Sequence, residues 1–446
     1  MADHTLHIKE FGKIEEANKS CQLNNSYAEI SLSKDDFESL TNFIEENSYN
    51  SDFSKAFTIF SRSGKRYIQV KNFVGVIETN TGLVIEILPK VFNGKTQSSK
   101  DESKLLLLKM LRVITNIPFI NLDKADLQIQ DNFPILEVFI TSFIKETEFL
   151  LSKELNGEYN VTEDYLPYVK GKIVLNTSTF SSNFIKTKFN CRYDDFNNNI
   201  PPNKLIKSTL LKLFQTSKSS NNKKIILKLL SHFDEIDIST DFIADFEYSN
   251  ARKFQFKKYD LLIRWCEVFL LNKSFMNFHG KSVNQAILYP MEKLFEEYVA
   301  HLLRKYCDGV TIKTQERKYF LLGQKSNSDD SEYSIKRFAL KPDIVLDKGK
   351  VIIDTKWKLL NMNSRNFDIK ESDIYQMHAY GRKYTSELGV ATRLALIYPR
   401  SEYFSEPLLQ FSYGDNITLD IIPINLLSSN LKEELNNIVS VLNYVI

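Results

Sequence analysis

The chain has 446 residues, of which 43% are apolar and 26% are charged, and its formal net charge is +2. This length predicts about two to four domains with several hydrophobic cores, and the composition is typical of a globular protein. The near-zero net charge excludes nucleic-acid binding through overall charge, so any basic surface must be local.

Residues 1–95 are predicted to form a β-rich N-terminal domain. Short β-branched or aromatic runs at 57–60, 67–70, 74–78 and 83–88 are separated by Ser-Gly and Asn-Thr-Gly turns. Ser33 is expected to cap a helix. The Ser- and Lys-rich stretch 93–102 is expected to be a linker.

Residues 96–280 are predicted to be mainly helical, because apolar residues recur there at helical spacing. The stretches with this spacing are 105–114, 133–156, 203–217, 223–234 and 252–273.

Residues 281–446 are predicted to form an α/β domain with a central mixed sheet. Pro290 precedes an apolar stripe of helical period. Strands are expected at about 310–322, 333–347, 350–359 and 393–398, with helices at about 371–386 and at the C-terminus. The predicted fold class is therefore α+β with several domains.

Four cysteines lie far apart at 21, 191, 266 and 307. This spacing argues against a zinc ribbon, an iron–sulfur cluster or a secreted disulfide scaffold. The polar N-terminus and the absence of an apolar run of about 18 residues predict a cytoplasmic protein without a membrane segment.

The stretch KPDIVLDKGKVIIDTKWK, residues 341–358, places acidic residues in or beside two apolar strands. The turn at 347–350 predicts a hairpin. Strand side chains alternate faces, so Asp354 and Lys356 are expected on the same side, and strand pairing can bring Asp343 beside them.

Two neighbouring carboxylates repel, so both stay ionised only if a cation neutralises them. Mg²⁺ or Mn²⁺ would accept the carboxylates of Asp343 and Asp354 and the carbonyl of Thr355. Such an ion activates water and polarises a phosphodiester, and Lys356 could stabilise the charge on phosphorus. The alternative is an ordinary ion pair on an exposed edge strand. The apolar flanks favour the functional reading, because unpaired charge in a buried strand is costly.

Helices on either side of the hairpin carry further candidates. Glu296 is a candidate metal ligand from the preceding helix, with Glu292 as the alternative. Gln376 and Tyr380 are four residues apart and share a helical face. They could contact a DNA phosphate, brace the metal site, or form an ordinary half-buried polar pair.

Basic residues surround the hairpin and predict either a DNA-binding rim or an ordinary solvated surface. They are Arg317, Lys318, Lys336, Arg337, Lys341, Lys350, Lys358, Arg382 and Lys383. The Gly-Lys-Thr/Ser stretches at 93–96 and 279–282 lack the first glycine of a nucleotide-binding loop, so neither is expected to bind a nucleoside triphosphate. If the function requires one, a partner must supply it.

Pro342-Asp343 with Asp354-Thr-Lys356 resembles the PD-(D/E)xK nuclease motif, and Gln376-x-x-x-Tyr380 resembles the RecB-type branch of that superfamily. The chain as a whole resembles the McrC family, the nuclease subunits of McrBC modification-dependent restriction systems. The stretches that carry this resemblance are 75–78, 85–90, 168–173, 198–206, 291–299, 340–345 and 372–380.

The resemblance implies a DNA endonuclease subunit of a phage-defence system. Asp343, Asp354 and Glu296 would hold the metal, and Lys356 would be the catalytic lysine. Lys341, Lys358, Gln376 and Tyr380 are the predicted DNA contacts. The implied partner is a McrB-like AAA+ GTPase hexamer, which the N-terminal and middle parts would bind and stimulate. That partner would recognise modified double-stranded DNA and translocate it.

Two alternatives remain open from the sequence. One is a non-catalytic adaptor of an AAA+ partner, which the intact Asp, Asp and Lys set argues against. The other is a stand-alone RecB-like repair exonuclease.

Overall fold

A computed structural model describes residues 5–17, 28–46, 55–79, 81–91, 97–113, 134–174, 188–271, 283–307, 309–324, 335–389, 392–414, 417–428 and 430–442. Cys21 and both Gly-Lys-Thr/Ser stretches lie outside these residues. The chain divides into two compact units. Unit 1 comprises Met1–Phe119, Gln130–Asn132 and His279–Ile446, and unit 2 comprises Ile120–Ile129 and Phe133–Phe278.

The first part of unit 1 is rich in β-strands. Its elements are β1 (Thr5–Lys9), β2 (Lys13–Glu16), β3 (Glu29–Leu32), α1 (Lys34–Glu46), β4 (Phe57–Arg62), β5 (Lys65–Val70), β6 (Phe73–Thr79), β7 (Val84–Leu88) and α2 (Gln97–Val113). The four predicted strands are present, and Ser33 Oγ accepts a hydrogen bond of 3.3 Å from the Asp36 amide at the start of α1. The linker predicted at 93–102 is wrong from Gln97 onward, because α2 begins there and its later turns bury a run of leucines.

These strands form two four-stranded sheets, ordered β3-β2-β5-β4 and β1-β7-β6-β11. The last strand, β11 (Val283–Pro290), pairs with β6 although about two hundred residues separate them. Gly75 makes this pairing possible. Its φ is 137°, and a Cβ there would lie 1.9 Å from the carbonyl oxygen of Ile287.

Unit 2 is mainly helical, as the sequence indicates, but it also contains a small sheet that the sequence analysis missed. Its elements are α3 (Ile135–Leu151), β8 (Glu158–Leu166), β9 (Lys172–Ile173), β10 (Phe189–Asn197), α4 (Pro201–Thr216), α5 (Ser220–Leu230), α6 (Phe242–Ala251) and α7 (Asp260–Leu270). Trp265 stacks on Phe269 with ring centroids 5.3 Å apart, and Phe143 packs edge-on against Phe269. The sheet, ordered β8-β10-β9, leaves most of its side chains exposed.

The remainder of unit 1 carries a six-stranded mixed sheet, ordered β12-β15-β16-β17-β19-β18. The elements after β11 are α8 (Met291–Tyr306), β12 (Ile312–Thr314), β13 (Phe320–Gln324), β14 (Ile335–Ala339), β15 (Ile344–Leu346), β16 (Val351–Thr355), α9 (Glu371–Leu388), β17 (Arg393–Pro399), β18 (Leu408–Gly414), β19 (Ile417–Ile424) and α10 (Leu431–Val441). The β16–β17 and β17–β19 pairs are parallel, and the other pairs are antiparallel. This confirms the expected mixed sheet flanked by helices.

Every residue of β16 is buried, so both faces of the sheet are covered there. Met377, Tyr380 and Tyr384 of α9 join one hydrophobic core with Ile352 and Leu394 of the sheet. Helices α8 and α10 also pack against strands of this sheet. Among the described residues, no helix has the length and apolar character needed to cross a lipid bilayer.

Candidate active site

The predicted hairpin is present, and it sets the position of the acidic residues. Strands β15 and β16 pair antiparallel, with Ile344 opposite Ile353. The turn between them has Lys348 at φ 59° and Gly349 at φ 109°, a conformation that glycine adopts without strain. Asp343 directly precedes β15, while Asp354 and Thr355 end β16, so all three lie at the open end of the hairpin.

The structure brings the two aspartates and the lysine together. Oδ2 of Asp343 accepts hydrogen bonds from the backbone amide and the hydroxyl of Thr355, both at 2.8 Å. Nζ of Lys356 lies 2.6 Å from Oδ2 of Asp354. Strand β16 ends at Thr355, but the Lys356 amide still donates to the Ile397 carbonyl at 2.9 Å. This backbone contact fixes the direction in which the Lys356 side chain leaves the sheet.

Burial and mutual repulsion destabilise the ionised carboxylates. Burial, followed by the charge of Asp343, raises the pKa of Asp354 to about 7, although Lys356 opposes the shift. Burial also raises the pKa of Asp343, against the hydrogen bonds from Thr355. For Lys356, burial is the largest cause and acts to lower the pKa, but Asp354, Asp373 and Asp343 together outweigh it, and the pKa is raised. The lysine therefore stays charged beside carboxylates whose ionised form is destabilised, and a bound cation would favour that form.

A chain of hydrogen bonds holds Lys356 from the side of α9. Nζ of Lys356 donates to Oε1 of Gln376 at 3.1 Å, and Nε2 of Gln376 donates to the Tyr380 hydroxyl at 2.8 Å. That hydroxyl donates to the carbonyl of Lys341 at 3.1 Å. Tyr380 is only 4% exposed, so the geometry favours a bracing role for it over contact with DNA.

Asp373 is a site residue that the sequence analysis missed. It lies in the first turn of α9, and its Oδ1 is 3.9 Å from Nζ of Lys356. Asp373 lies three residues before Gln376, so both side chains lie on one face of the helix. This spacing is visible in the sequence and could have identified Asp373.

Glu296, rather than Glu292, is the helix acid whose pKa responds to the charge of Asp343. Burial and then repulsion from Asp343 raise the pKa of Glu296 to about 7, and Nε2 of Gln315 donates to its Oε1 at 2.7 Å. The amide of Gln315 also donates to the Asp343 carbonyl at 3.0 Å, which ties the two acids to one loop. The charge of Glu292 instead acts to raise the pKa values of Glu10 and Lys90.

These residues line one open cleft with a volume of about 620 Å³. The predicted residues in its wall are Glu296, Asp343, Asp354, Thr355, Lys356, Lys358 and Gln376, together with the alternative acid Glu292. Lys341 and Tyr380 are not part of this wall; the side chain of Lys341 is exposed, and its charge acts on Asp343 and Glu296.

The first part of the chain contributes to the same cleft, which the sequence analysis did not foresee. Phe11, Lys55, Lys71, Asn72 and Lys90 line it, and Lys370 lines it from the start of α9. Strand pairings between distant segments place these residues there, and no local sequence pattern encodes such pairings.

The donor set suits a hard divalent ion. Asp343 and Asp354 offer carboxylate oxygens, and the Thr355 carbonyl is a further oxygen donor at the same strand end. The described residues hold no group of three or more His, Cys, Asp or Glu side chains placed to share one metal ion. A site of two carboxylates matches the way in which Mg²⁺ keeps water and substrate oxygens as its other ligands.

A family model described as "McrBC 5-methylcytosine restriction system component" matches residues 68–399, which is well over half of the chain. The chain belongs to this McrBC family. The match begins within β5 and ends with β17, so the hairpin, the cleft acids and the middle region all lie inside it. The family predicted from the sequence is thereby confirmed.

The fold of this McrBC family member is also seen in a solved structure from Thermococcus gammatolerans. That structure is described as "Refined half-complex from tetradecameric assembly of Thermococcus gammatolerans McrB AAA+ hexamers with bound McrC". The matching chain is 15% identical with a TM-score of 0.69, and the match covers 97% of this chain and 100% of that one. This likeness shows a shared fold over nearly the whole length.

A second structure, "Cryo-EM structure of the Thermococcus gammatolerans McrBC complex", matches with 17% identity and a TM-score of 0.48 over 68% of this chain and 88% of that one. No curated protein matches the chain by sequence.

Proposed function

We propose that this McrBC family member is a Mg²⁺-dependent DNA endonuclease subunit. In this proposal the chain works with a McrB-like AAA+ GTPase hexamer, whose GTP hydrolysis it stimulates. The partner recognises methylated or otherwise modified double-stranded DNA and translocates it, and this chain hydrolyses the phosphodiester bonds.

One observation carries the proposal: Asp343, Asp354 and Lys356 meet at the open end of a hairpin that faces a cleft. Two raised carboxylate pKa values beside a charged lysine are typical of an active site. Residues 281–446, with the mixed sheet, the hairpin and the helices α8, α9 and α10, constitute the proposed PD-(D/E)xK nuclease domain.

The residues divide the chemistry between them. Asp343, Asp354 and the Thr355 carbonyl would hold Mg²⁺ or Mn²⁺, with Glu296 placed to act through the water around it. A bound ion of this kind lowers the pKa of a coordinated water and polarises a phosphoryl oxygen. Lys356 stabilises the negative charge that develops on the phosphorus oxygens. Gln376 fixes the direction of the Lys356 ammonium through its 3.1 Å hydrogen bond.

DNA would be bound by Lys341, which is exposed beside the hairpin, and by Lys358 in the wall of the cleft. Gln376 also lines the cleft and would contact DNA as well as Lys356. Contacts of lysine with phosphate carry affinity without sequence preference. This agrees with a nuclease whose target is selected by the partner.

The three-stranded sheet of unit 2 is the proposed contact with the partner, in addition to residues 1–95. The exposed apolar side chains of this sheet and its loops are Tyr159, Val161, Tyr165, Tyr168, Val169, Ile173, Phe189 and Phe196. An apolar surface of this kind is typical of a protein–protein interface. The complex would act in the cytoplasm.

The first experiment is cleavage of methylated circular DNA with Mg²⁺ and GTP, with and without the partner GTPase. Wild type is compared with Lys356→Ala and with Lys432→Ala, which removes an exposed lysine from α10 far along the chain. We expect cleavage by wild type and Lys432→Ala only when the partner is present, and none by Lys356→Ala. Cleavage by Lys356→Ala at the wild-type rate would overturn the site.

The same experiment separates the alternatives. If no mixture cuts DNA but GTP hydrolysis is still stimulated, the chain is an adaptor. If linear DNA is degraded without the partner while circular DNA survives, it is a RecB-like exonuclease.

The partner contact is tested by Tyr165→Ser combined with Tyr168→Ser. These side chains are 52% and 60% exposed, so the fold should tolerate both changes. We expect weaker binding of the partner and less stimulation of its GTPase. Ile243→Ser is the control, since Ile243 is 65% exposed on α6 of the same unit.

A further inference from the structure

Three lysines from different parts of the chain meet in the wall of the candidate active-site cleft. Lys90 follows β7 in the first part of the chain, Lys358 follows the catalytic strand β16, and Lys370 immediately precedes α9. All three line the cleft that contains Asp343 and Asp354. None of them belongs to the carboxylate pair or to the group that holds Lys356.

Lys90 is held in place by several contacts. Its Nζ donates to the carbonyl of Trp357 at 2.7 Å and lies over the rings of Phe11 and Trp357, at 5.0 and 5.5 Å from their centroids. An ammonium group has three donors, and the hydrogen bond to Trp357 uses one of them. Lys90 can therefore bind a ligand without giving up the contact that positions it.

The other two ammonium groups are near enough to act on Lys90. Burial is the main cause that lowers the pKa of Lys90; Glu10 and Glu292 oppose this shift, and the smaller effects of Lys358 and Lys370 add to it. Lys358 is anchored by a hydrogen bond from Nζ to the Asp368 carbonyl, and Lys370 is exposed at the mouth of the cleft. Three like charges at one wall repel each other, and an anion bound between them would relieve this repulsion.

Two carboxylates also lie close to this lysine cluster. Glu10 and Glu292 both act on Lys90. Glu10 is 1% exposed and accepts the indole N–H of Trp357, so it does not reach Lys358 or Lys370 at the surface of the cleft. Three lysines stand against these two acids, so this end of the cleft keeps a net positive charge next to the acidic centre. Such a charge suits successive phosphates of a DNA backbone.

We propose that Lys90, Lys358 and Lys370 bind a backbone phosphate of duplex DNA beside the scissile one, so that the N-terminal sheet forms one wall of the DNA-binding cleft. This inference rests on the proposed nuclease function. It adds DNA binding to the role of residues 1–95, for which only a partner contact was expected.

The test is equilibrium binding of the full-length chain to a fluorescently labelled duplex without divalent ions, measured by anisotropy over a series of salt concentrations. Lys370→Ala and Lys90→Met are the test variants. Lys370→Arg keeps the charge, and Lys65→Ala removes an exposed lysine of β5 that does not line the cleft. Melting temperatures show whether each variant is folded.

We expect Lys370→Ala and Lys90→Met each to weaken binding severalfold and to reduce the slope of log K against log salt by about 1, as for one lost phosphate contact. Lys370→Arg and Lys65→Ala should bind as wild type does. Unchanged affinity and slope for folded Lys370→Ala would overturn the proposal, and so would the absence of duplex binding by wild type.

Cleavage assays with the partner separate this inference from the nuclease function. If wild type cuts DNA while the lysine variants bind DNA normally, the proposed phosphate subsite is wrong and the nuclease function stands. If the lysine variants lose binding but wild type does not cut, the subsite stands and the nuclease function fails.

Discussion

The indole Nε1 of Trp357 donates hydrogen bonds to both carboxylate oxygens of Glu10, at 3.0 and 2.9 Å, although 347 positions separate the two residues. Glu10 directly follows β1, and its Oε1 also accepts the amide of Lys90 at 3.1 Å. Trp357 directly follows Lys356 and is 4% exposed. The first sheet of the chain therefore holds the backbone immediately after the proposed catalytic lysine.

Replacement of Trp357 by Phe should lower both stability and cleavage. The variant keeps an aromatic ring against Phe295 but leaves the buried Glu10 carboxylate without the indole donor. Loss of a partner for a buried acceptor costs about 1–3 kcal/mol in the free energy of unfolding. The backbone that follows Lys356 would no longer be held by Glu10, so kcat for DNA cleavage should fall more than the affinity for DNA changes.

A double-mutant cycle checks this contact by urea denaturation. Glu10→Met in the Trp357→Phe background removes the acid that has lost its indole donor, so the double variant should be more stable than the sum of the single effects predicts. Strict additivity of the two changes would argue against the contact.

Glu10 should also make stability depend on pH. Burial is the main cause that raises its pKa to about 7, from 4.5. Because the folded pKa is the higher one, the contribution of Glu10 is fully present below about pH 4.5 and is lost as the pH rises through about 7. Glu10→Gln keeps an acceptor for Trp357 but does not titrate. The free energy of unfolding of wild type should therefore fall relative to that of Glu10→Gln between about pH 5 and 8. The same pH dependence in both proteins would contradict a raised pKa for Glu10.

Asp354→Asn should abolish cleavage without unfolding the chain. The change removes a proposed metal ligand, and loss of groups that merely support such ligands already reduces activity by about 10- to 100-fold. Because burial and Asp343 disfavour the ionised form of Asp354, the metal-free variant should melt no lower than wild type. Asp347→Asn, at the other end of the same hairpin, is the matched control and should retain cleavage. A cleavage rate for Asp354→Asn within twofold of the control would remove Asp354 from the site.

Mg²⁺ should stabilise the protein more strongly at about pH 8 than at about pH 6. The pKa values of Asp354 and Glu296 are raised to about 7, so protons occupy both acids at the lower pH and must leave before a cation binds. The shift in melting temperature with added Mg²⁺ measures this, since a ligand of the folded state raises its stability. Asp354→Asn should show little shift at either pH. An equal shift for this variant and wild type would place Mg²⁺ binding elsewhere.

The hairpin and its neighbours follow from local sequence. The turn at 347–350, the apolar run before Asp354 and the alternation that places Lys356 beside it each act over a few residues, and the structure agrees with them. The same holds for Ser33, whose hydroxyl caps α1, and for the four-residue spacing of Gln376 and Tyr380. Such features depend on strand and helix geometry alone.

The other half of the cleft depends on contacts between distant residues. Lys90 lies in the cleft wall because the strand before it, β7, pairs with β1 and β6. Lys71 lies there because it precedes β6, which also pairs with β11. These pairings join segments whose local patterns would suit many partners, so the sequence predicted separate regions at 1–95, 96–280 and 281–446. Those boundaries stay a prediction. The strands β8 and β10 were missed for another reason. Adjacent charged residues, Glu163 and Asp164 in β8 and Asp194 and Asp195 in β10, interrupt their short apolar alternation, and most of their side chains are exposed.

The pairing of β6 with β11 has a consequence for synthesis of the chain on the ribosome. The sheet β1-β7-β6-β11 lacks its edge strand until Val283–Pro290 has been synthesised. Glu10 likewise lacks its indole donor until Trp357 has been synthesised. The wall of the cleft is therefore finished late in translation, after unit 2 is complete. A nascent chain can thus present its middle unit to other proteins before the site at the end of β16 has assembled.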